Sequence, residues 1–136
     1  MVADIYCDLL EASRAGRYEL LGFELEVERT PARAPIRSDA IIHIKGQLST
    51  ATLLLEAETG SHGLKGIDNK CAAYWQASRA QPDDFKVVIF AVPDENHMRR
   101  VKNATNTGPA GSSALFDVCL STDVAGRVEE YLSPRP

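Results

Sequence analysis

Residues 52–75 read TLLLEAETGSHGLKGIDNKCAAYW, and this stretch decides the fold. It begins as an apolar strand, passes through Glu56 and Glu58, and turns at a glycine cluster into a helix that carries Lys70. Because side chains alternate faces along a strand, both carboxylates lie on the same face. Two like charges side by side require a compensating cation or basic side chain. The stretch predicts a functional site at the end of a strand; the alternative is that water solvates both carboxylates there.

The helix after the glycine turn has apolar residues at helical spacing, and Lys70 lies at the edge of that stripe. We expect Ser61 to cap the helix and Ile67, Cys71 and Trp75 to face the sheet. A lysine at such an edge can bury its stem and turn its ammonium back. We therefore expect its nitrogen within about 4 Å of a carboxylate. The alternative is that its stem only covers apolar surface.

The amino-acid composition limits the classes of protein to which the chain can belong. The chain has 136 residues, of which 44% are hydrophobic and 25% charged, and this fits one globular domain. Its net charge of -4 has the wrong sign for coating nucleic acid by bulk charge, so any contact with DNA must be local. The three cysteines form no C-x-x-C pair and are expected to be reduced core residues.

The chain has no pattern typical of a membrane or secreted protein. Its longest apolar run, residues 87–92, is too short to cross a bilayer. The N-terminus lacks the basic-then-apolar order of a signal peptide. These features predict a soluble, cytoplasmic protein with no membrane partner.

Outward from the central stretch, the patterns predict a single α/β (α+β) domain with the order α-β-β-β-α-β-α-β and a central mixed sheet flanked by helices. The first strand alternates and is expected at a sheet edge, whereas the fourth is uniformly apolar and is expected to be buried and parallel to the third. The core should span about residues 3–121, with the C-terminal tail of the 136-residue domain peripheral. The predicted helices lie at 2–15, 61–78 and 94–105, and the strands at 18–28, 38–44, 52–58, 85–92 and 115–121.

A third carboxylate should join the pair on the central strand. Asp39 opens the preceding strand, and a hairpin between the two strands makes them neighbours. Magnesium prefers oxygen ligands such as carboxylates. Asp39, Glu56 and Glu58 are therefore candidate ligands of Mg²⁺ or Mn²⁺, whereas the histidines are too scattered for zinc.

The order of helix, three meandering strands, helix and strand resembles the core of the PD-(D/E)XK nuclease-like superfamily, which has a restriction-endonuclease-like fold. Ser38-Asp39 stands where that family has Pro-Asp, and Glu56-Ala57-Glu58 stands where it has acid-x-Lys. The family's lysine positions the attacking water, and Glu58 cannot supply its positive charge. The resemblance implies that Lys70 replaces it from the neighbouring helix and that Glu11 matches the acid of the family's first helix.

Within this superfamily the chain looks most like the replication-relaxation family of plasmid and mobile-element proteins. The family pattern is Asp-Ala, Glu-x-acid-x-Gly, Lys-x-x-x-Tyr, an apolar strand and Arg. It is met by Asp39-Ala40, Glu56, Glu58, Gly60, Lys70, Tyr74, residues 87–92, and Arg99 or Arg100. The resemblance implies a metal-dependent nuclease-like domain acting on DNA. Because family members commonly carry a winged-helix part ahead of this domain, the chain is expected to be a fragment or a compact relative.

Four residues near the expected site are candidates for contacts with nucleic acid: His62 in the glycine turn, Lys65, Arg99 and Arg100. Solvated helix faces and an idle loop histidine are the alternatives. A salt bridge between Glu58 and Lys70 would instead leave a catalytically inactive nuclease-fold module that serves DNA or protein binding. A separate DNA-binding domain, a protein partner and a homodimer stay open as partners.

Overall fold

The computed structural model describes residues 1–29, 36–60, 63–83, 86–108 and 114–132, and for 26–29, 36, 37 and 64 it describes the backbone alone. This part of the chain contains four α-helices and five strands. They are α1 (Val2–Arg14), β1 (Glu19–Arg29), β2 (Ile36–Lys45), β3 (Thr50–Ala57), α2 (Leu64–Ala80), β4 (Val88–Val92), α3 (Glu95–Thr107), β5 (Phe116–Leu120) and α4 (Val124–Glu129).

The strands form one mixed sheet in the order β1-β2-β3-β4-β5, within a single α+β domain. β1, β2 and β3 are an antiparallel meander, and β3, β4 and β5 are parallel. The predicted parallel pairing of the third and fourth strands is confirmed, with a register from Leu54↔Val88 to Ala57↔Ala91. The alternating first strand lies at an edge, as predicted.

Helices cover both faces of the sheet, because neighbouring residues of the central strand point to opposite sides. Leu54 packs with Ile67 and Cys71 of α2, whereas Leu53 packs with Ile5 and Leu9 of α1. α3 joins α2 on one face, and α4 joins α1 on the other. Every residue of β4 is buried, which explains its unbroken apolar sequence.

The C-terminal residues are part of the core, so the prediction of a peripheral tail is wrong as far as residue 132. Val124 and Val128 of α4 are fully buried, and Leu132 is 8% exposed. Tyr18 donates a hydrogen bond from its hydroxyl to the carbonyl of Ala125 at 2.8 Å and so fixes α4. A six-residue helix has too few apolar positions to show a period, and tertiary contacts decide its place.

Two smaller expectations need correction or lie outside the described residues. Cys71 and Cys119 are buried and free, as expected, but Cys7 is exposed on α1 because it faces away from the sheet. Ser61, the expected cap of α2, lies outside the described residues, and the N-cap position is Gly63. No helix in the described ranges is long and apolar enough to cross a membrane.

Candidate functional site

The site is built around Glu56, which lies near the end of β3 and is only 1% exposed. Its Oε2 accepts a hydrogen bond from Nζ of Lys70 at 2.7 Å. Its Oε1 accepts one from the hydroxyl of Tyr74 at 2.5 Å. A buried carboxylate is costly unless it is paired and hydrogen-bonded. Both oxygens of Glu56 accept a hydrogen bond, and one of the two donors carries a positive charge.

α2 supplies both partners because Lys70 and Tyr74 are four residues apart and share one helix face. The Lys70 side chain is 28% exposed, so its stem is covered while its ammonium turns back to the sheet. The expected distance to a carboxylate is confirmed. The bonded carboxylate is that of Glu56, not that of Glu58 as the inactive-module alternative assumed.

A hydroxyl pair extends this network to β2. Oγ of Ser38 lies 2.8 Å from the hydroxyl of Tyr74, and both side chains are buried. Both residues belong to motifs of the family resemblance, Tyr74 to Lys-x-x-x-Tyr and Ser38 to Ser38-Asp39, but the sequence predicts no role for either at the site. Tyr74 could have been found from its position one turn after Lys70, and Ser38 from its place beside Asp39.

Asp39 lies at the point where β2 and β3 separate. The ladder between β2 and β3 ends at Ala40↔Leu55. Beyond that pair, Oδ2 of Asp39 accepts a hydrogen bond from the backbone N–H of Ala57 at 2.8 Å. The side chain thus replaces a backbone acceptor and holds a half-buried carboxylate close to the ion pair.

Glu58 follows β3 and is 1% exposed. Its Oε1 accepts a hydrogen bond from the N–H of Gly60 at 3.0 Å, and its own N–H donates to the carbonyl of Ala91 at 2.9 Å. Beside it lies a cavity of about 10 Å³, which has room for about one water molecule. The residues around this cavity are Glu58, Gly60, Gly63, Ile67, His97, Arg100 and Val101.

The charges of the site affect one another. The pKa of Glu56 is raised because burial outweighs the hydrogen bonds from Lys70 and Tyr74, which lower it. Burial would lower the pKa of Lys70, but the hydrogen bond and charge of Glu56, with the charges of Asp39 and Glu58, raise it overall. Burial also raises the pKa of Tyr74, and the neighbouring Glu56 adds to this. At neutral pH Lys70 is therefore an ammonium and Tyr74 a hydroxyl donor.

Four of the five predicted catalytic residues lie around the end of β3. Glu56 is bonded to Lys70, Asp39 accepts from the N–H of Ala57, and Glu58 follows the strand. Glu11 does not join them. It is exposed on α1, and α1 packs on the face of the sheet opposite to α2.

The predicted nucleic-acid contacts are dispersed. Lys65 is exposed on α2, and Arg99 is exposed on α3, where it donates to Asn96. Arg100 is also exposed and borders the cavity beside Glu58. His62 lies outside the described residues.

The carboxylates of the site offer only oxygen atoms as ligands for a metal ion. The described ranges contain no group of three or more His, Cys, Asp or Glu side chains that could hold a metal ion together. Magnesium, however, usually keeps several waters and takes only one or two carboxylates from the protein. The carboxylates of Asp39, Glu56 and Glu58 are the kind of oxygen ligand that Mg²⁺ and Mn²⁺ prefer, but the structure does not gather the three into one ligand group. A site that used all three would require Glu56 to release Lys70 or Tyr74.

No family model matches the chain, and neither a curated protein nor a solved structure matches it significantly.

Proposed function

We propose that the chain is a metal-dependent nuclease-like domain that acts on DNA phosphodiesters, in the replication or relaxation of plasmids or mobile elements. The observation that carries the proposal is the Lys70–Glu56 ion pair, formed between α2 and the end of β3 beside Asp39. The helix, three meandering strands, helix and parallel strand follow one another as in a restriction-endonuclease-like core, and this order supports the assignment.

The chemistry requires negative and positive groups side by side. Asp39, Glu56 and Glu58 would hold a divalent ion, which when bound offsets charge on the phosphate and activates water. Lys70 keeps an ammonium at the same strand end, where it can stabilise charge that develops on the phosphate. Tyr74 fixes the orientation of Glu56 through its short hydrogen bond.

Contacts with DNA would be local, because the chain is acidic overall. Arg100 lies beside the Glu58 cavity, and Arg99 and Lys65 are exposed on the two helices that flank it. Arginine and lysine contacts of this kind position a phosphate backbone without reading its sequence.

Nicking of supercoiled plasmid DNA tests the proposal. With Mg²⁺ or Mn²⁺ present, the wild type should nick or cut the plasmid. Asp39→Asn should be slower by about 100-fold or more, since loss of even an outer partner of a metal site costs about 10- to 100-fold. Asp68→Asn, at an exposed carboxylate on α2, is the matched control and should keep wild-type activity. Equal nicking by the wild type and Asp39→Asn would refute the assignment.

A second candidate is a catalytically inactive module with the same fold, used for DNA or protein binding. It is favoured by the fact that Lys70 and Tyr74 already occupy both oxygens of Glu56. Titration calorimetry with Mn²⁺ separates the two candidates. Binding that disappears in Glu56→Gln supports the enzyme, whereas the absence of binding by the wild type supports the module.

A further inference from the structure

The His97 ring is held in one orientation at the start of α3. Asp94 is the N-cap residue, and its Oδ1 accepts a hydrogen bond from the backbone N–H of His97 at 2.9 Å. The same oxygen lies 2.7 Å from Nδ1 of the His97 ring. A ring nitrogen bonded to a carboxylate fixes both the orientation and the tautomer of an imidazole. Nε2 is therefore directed away from Asp94.

Nε2 faces the turn between β3 and α2. A β-carbon placed on Gly60 would lie 2.6 Å from Nε2 and 3.2 Å from Cδ2 of His97, so the ring packs directly on the glycine backbone. Gly60 also has a φ of +92°, a conformation that side chains rarely adopt. Two independent constraints thus require glycine at this position, and one of them is His97.

The same turn holds the carboxylate of Glu58. The N–H of Gly60 donates to Oε1 of Glu58, and His97, Gly60 and Glu58 border one small cavity. The His97 ring lies directly against the Gly60 backbone, so displacement of the ring would remove this contact from the turn. A chain of contacts therefore runs from Asp94 through His97 and Gly60 to Glu58.

We propose that His97 is a positioning residue of the site: anchored by Asp94, it holds the Gly60 turn and so fixes the carboxylate of Glu58. The inference rests on the proposed function for the chemical use of Glu58. The coupling between ring and turn is measurable without DNA or metal, so its failure can be told apart from failure of the nuclease assignment.

A mutant cycle between Gly60 and His97 tests the contact. Gly60→Ala should lower the urea midpoint of unfolding, through both the clash with the ring and the positive φ. Adding His97→Ala removes the clash, so His97→Ala should lower the midpoint less in the Gly60→Ala background than in the wild type. An equal or larger effect of His97→Ala in the Gly60→Ala background would overturn the proposal.

Amide hydrogen exchange keeps the proposal testable if Gly60→Ala does not fold. In His97→Ala the Gly60 amide should exchange on the order of 10-fold faster, because its bond to Glu58 is no longer held. The carboxyl carbon signal of Glu58 should shift in the same variant. His97→Gln, whose amide can reach the place of Nε2, should restore part of both, and the amide of Ile89 in β4 is the control. Unchanged Gly60 exchange and Glu58 signal in His97→Ala would contradict the role.

Discussion

Glu56 is the most constrained residue of the site, because a carboxylate that is 1% exposed has little contact with water. Lys70 and Tyr74 replace that water with one charged and one neutral donor. In a buried pair, removal of one partner is strongly destabilising, since it leaves the other charge uncompensated. The ion pair is thus a condition for burying Glu56 as well as a source of charge for the site.

Replacement of Glu56 by glutamine, which cannot ionise, should change how the free energy of unfolding depends on pH. Burial raises the folded-state pKa of Glu56 above its ordinary 4.5. The protonated side chain therefore contributes stability to the folded state, and this contribution is fully present below pH 4.5. It is lost as the pH rises through the folded-state pKa. Lys70 stays protonated throughout, since its pKa is raised from 10.5.

The unfolding free energy of the wild type minus that of Glu56→Gln should therefore fall as the pH rises from 4.5 through the raised folded-state pKa, by about 1.4 kcal/mol for each pH unit by which that pKa is raised. Urea unfolding followed by the fluorescence of Trp75, the single tryptophan, measures both proteins. A difference that stays constant or grows with pH would contradict the assignment of the shift to Glu56.

At the scale of elements, α4 closes one face of the sheet together with α1. Val128→Ala removes two methyl groups from a fully buried position and should lower the free energy of unfolding by about 2 kcal/mol. Leu48→Ala, at a side chain that is 84% exposed, should change it by less than about 0.5 kcal/mol. Equal urea midpoints for Val128→Ala and the wild type would show that α4 does not belong to the folded core.

The elements with a strong local pattern could be predicted from the sequence. The alternation of β1, the unbroken apolar run of β4 and the acidic start of α3 each determine one element. α4 could not be predicted in this way, because six residues that include Gly126 carry no period and are ordered by tertiary contacts, among them those with α1, β5 and Tyr18.

Some contacts of the site could likewise be predicted from the sequence, and others could not. The pairing of Lys70 with a strand-end carboxylate follows from helical spacing and could be predicted. The bond between Ser38 and Tyr74 depends on where the β2–β3 ladder ends, and that is a tertiary property. The approach of His97 to Gly60 likewise depends on the packing of α3 against the turn after β3.

At the scale of the whole molecule, β3 is the strand where the antiparallel half of the sheet meets the parallel half. Because β3 and β4 are parallel, their carboxyl ends lie at the same end of the sheet, and α2 and α3 follow them there. Crevices beyond the carboxyl ends of parallel strands are the usual binding places of such sheets. The topology therefore gathers Glu56, Glu58, Lys70 and His97 at this end of the sheet, although His97 lies in a different helix and far from the other three in sequence.

We propose that α2 supplies the positive charge of a hydrolytic site through Lys70. Lys70→Met keeps an apolar stem, and the buried residues Ile67, Cys71 and Ala77 still hold the helix on the sheet. Loss of the partner of Glu56 should reduce stability, which Trp75 fluorescence would monitor while confirming that the variant remains folded. Mn²⁺ binding should persist, because the change frees an oxygen of Glu56.

The most direct measurement is the rate of plasmid nicking by folded Lys70→Met beside the wild type, at equal occupancy by Mn²⁺. We predict that the wild type nicks and that Lys70→Met is slower by about 100- to 1000-fold, the usual effect of removing one group that stabilises developing charge. Nicking by Lys70→Met at the wild-type rate, or no nicking by a wild type that has bound Mn²⁺, would contradict this account.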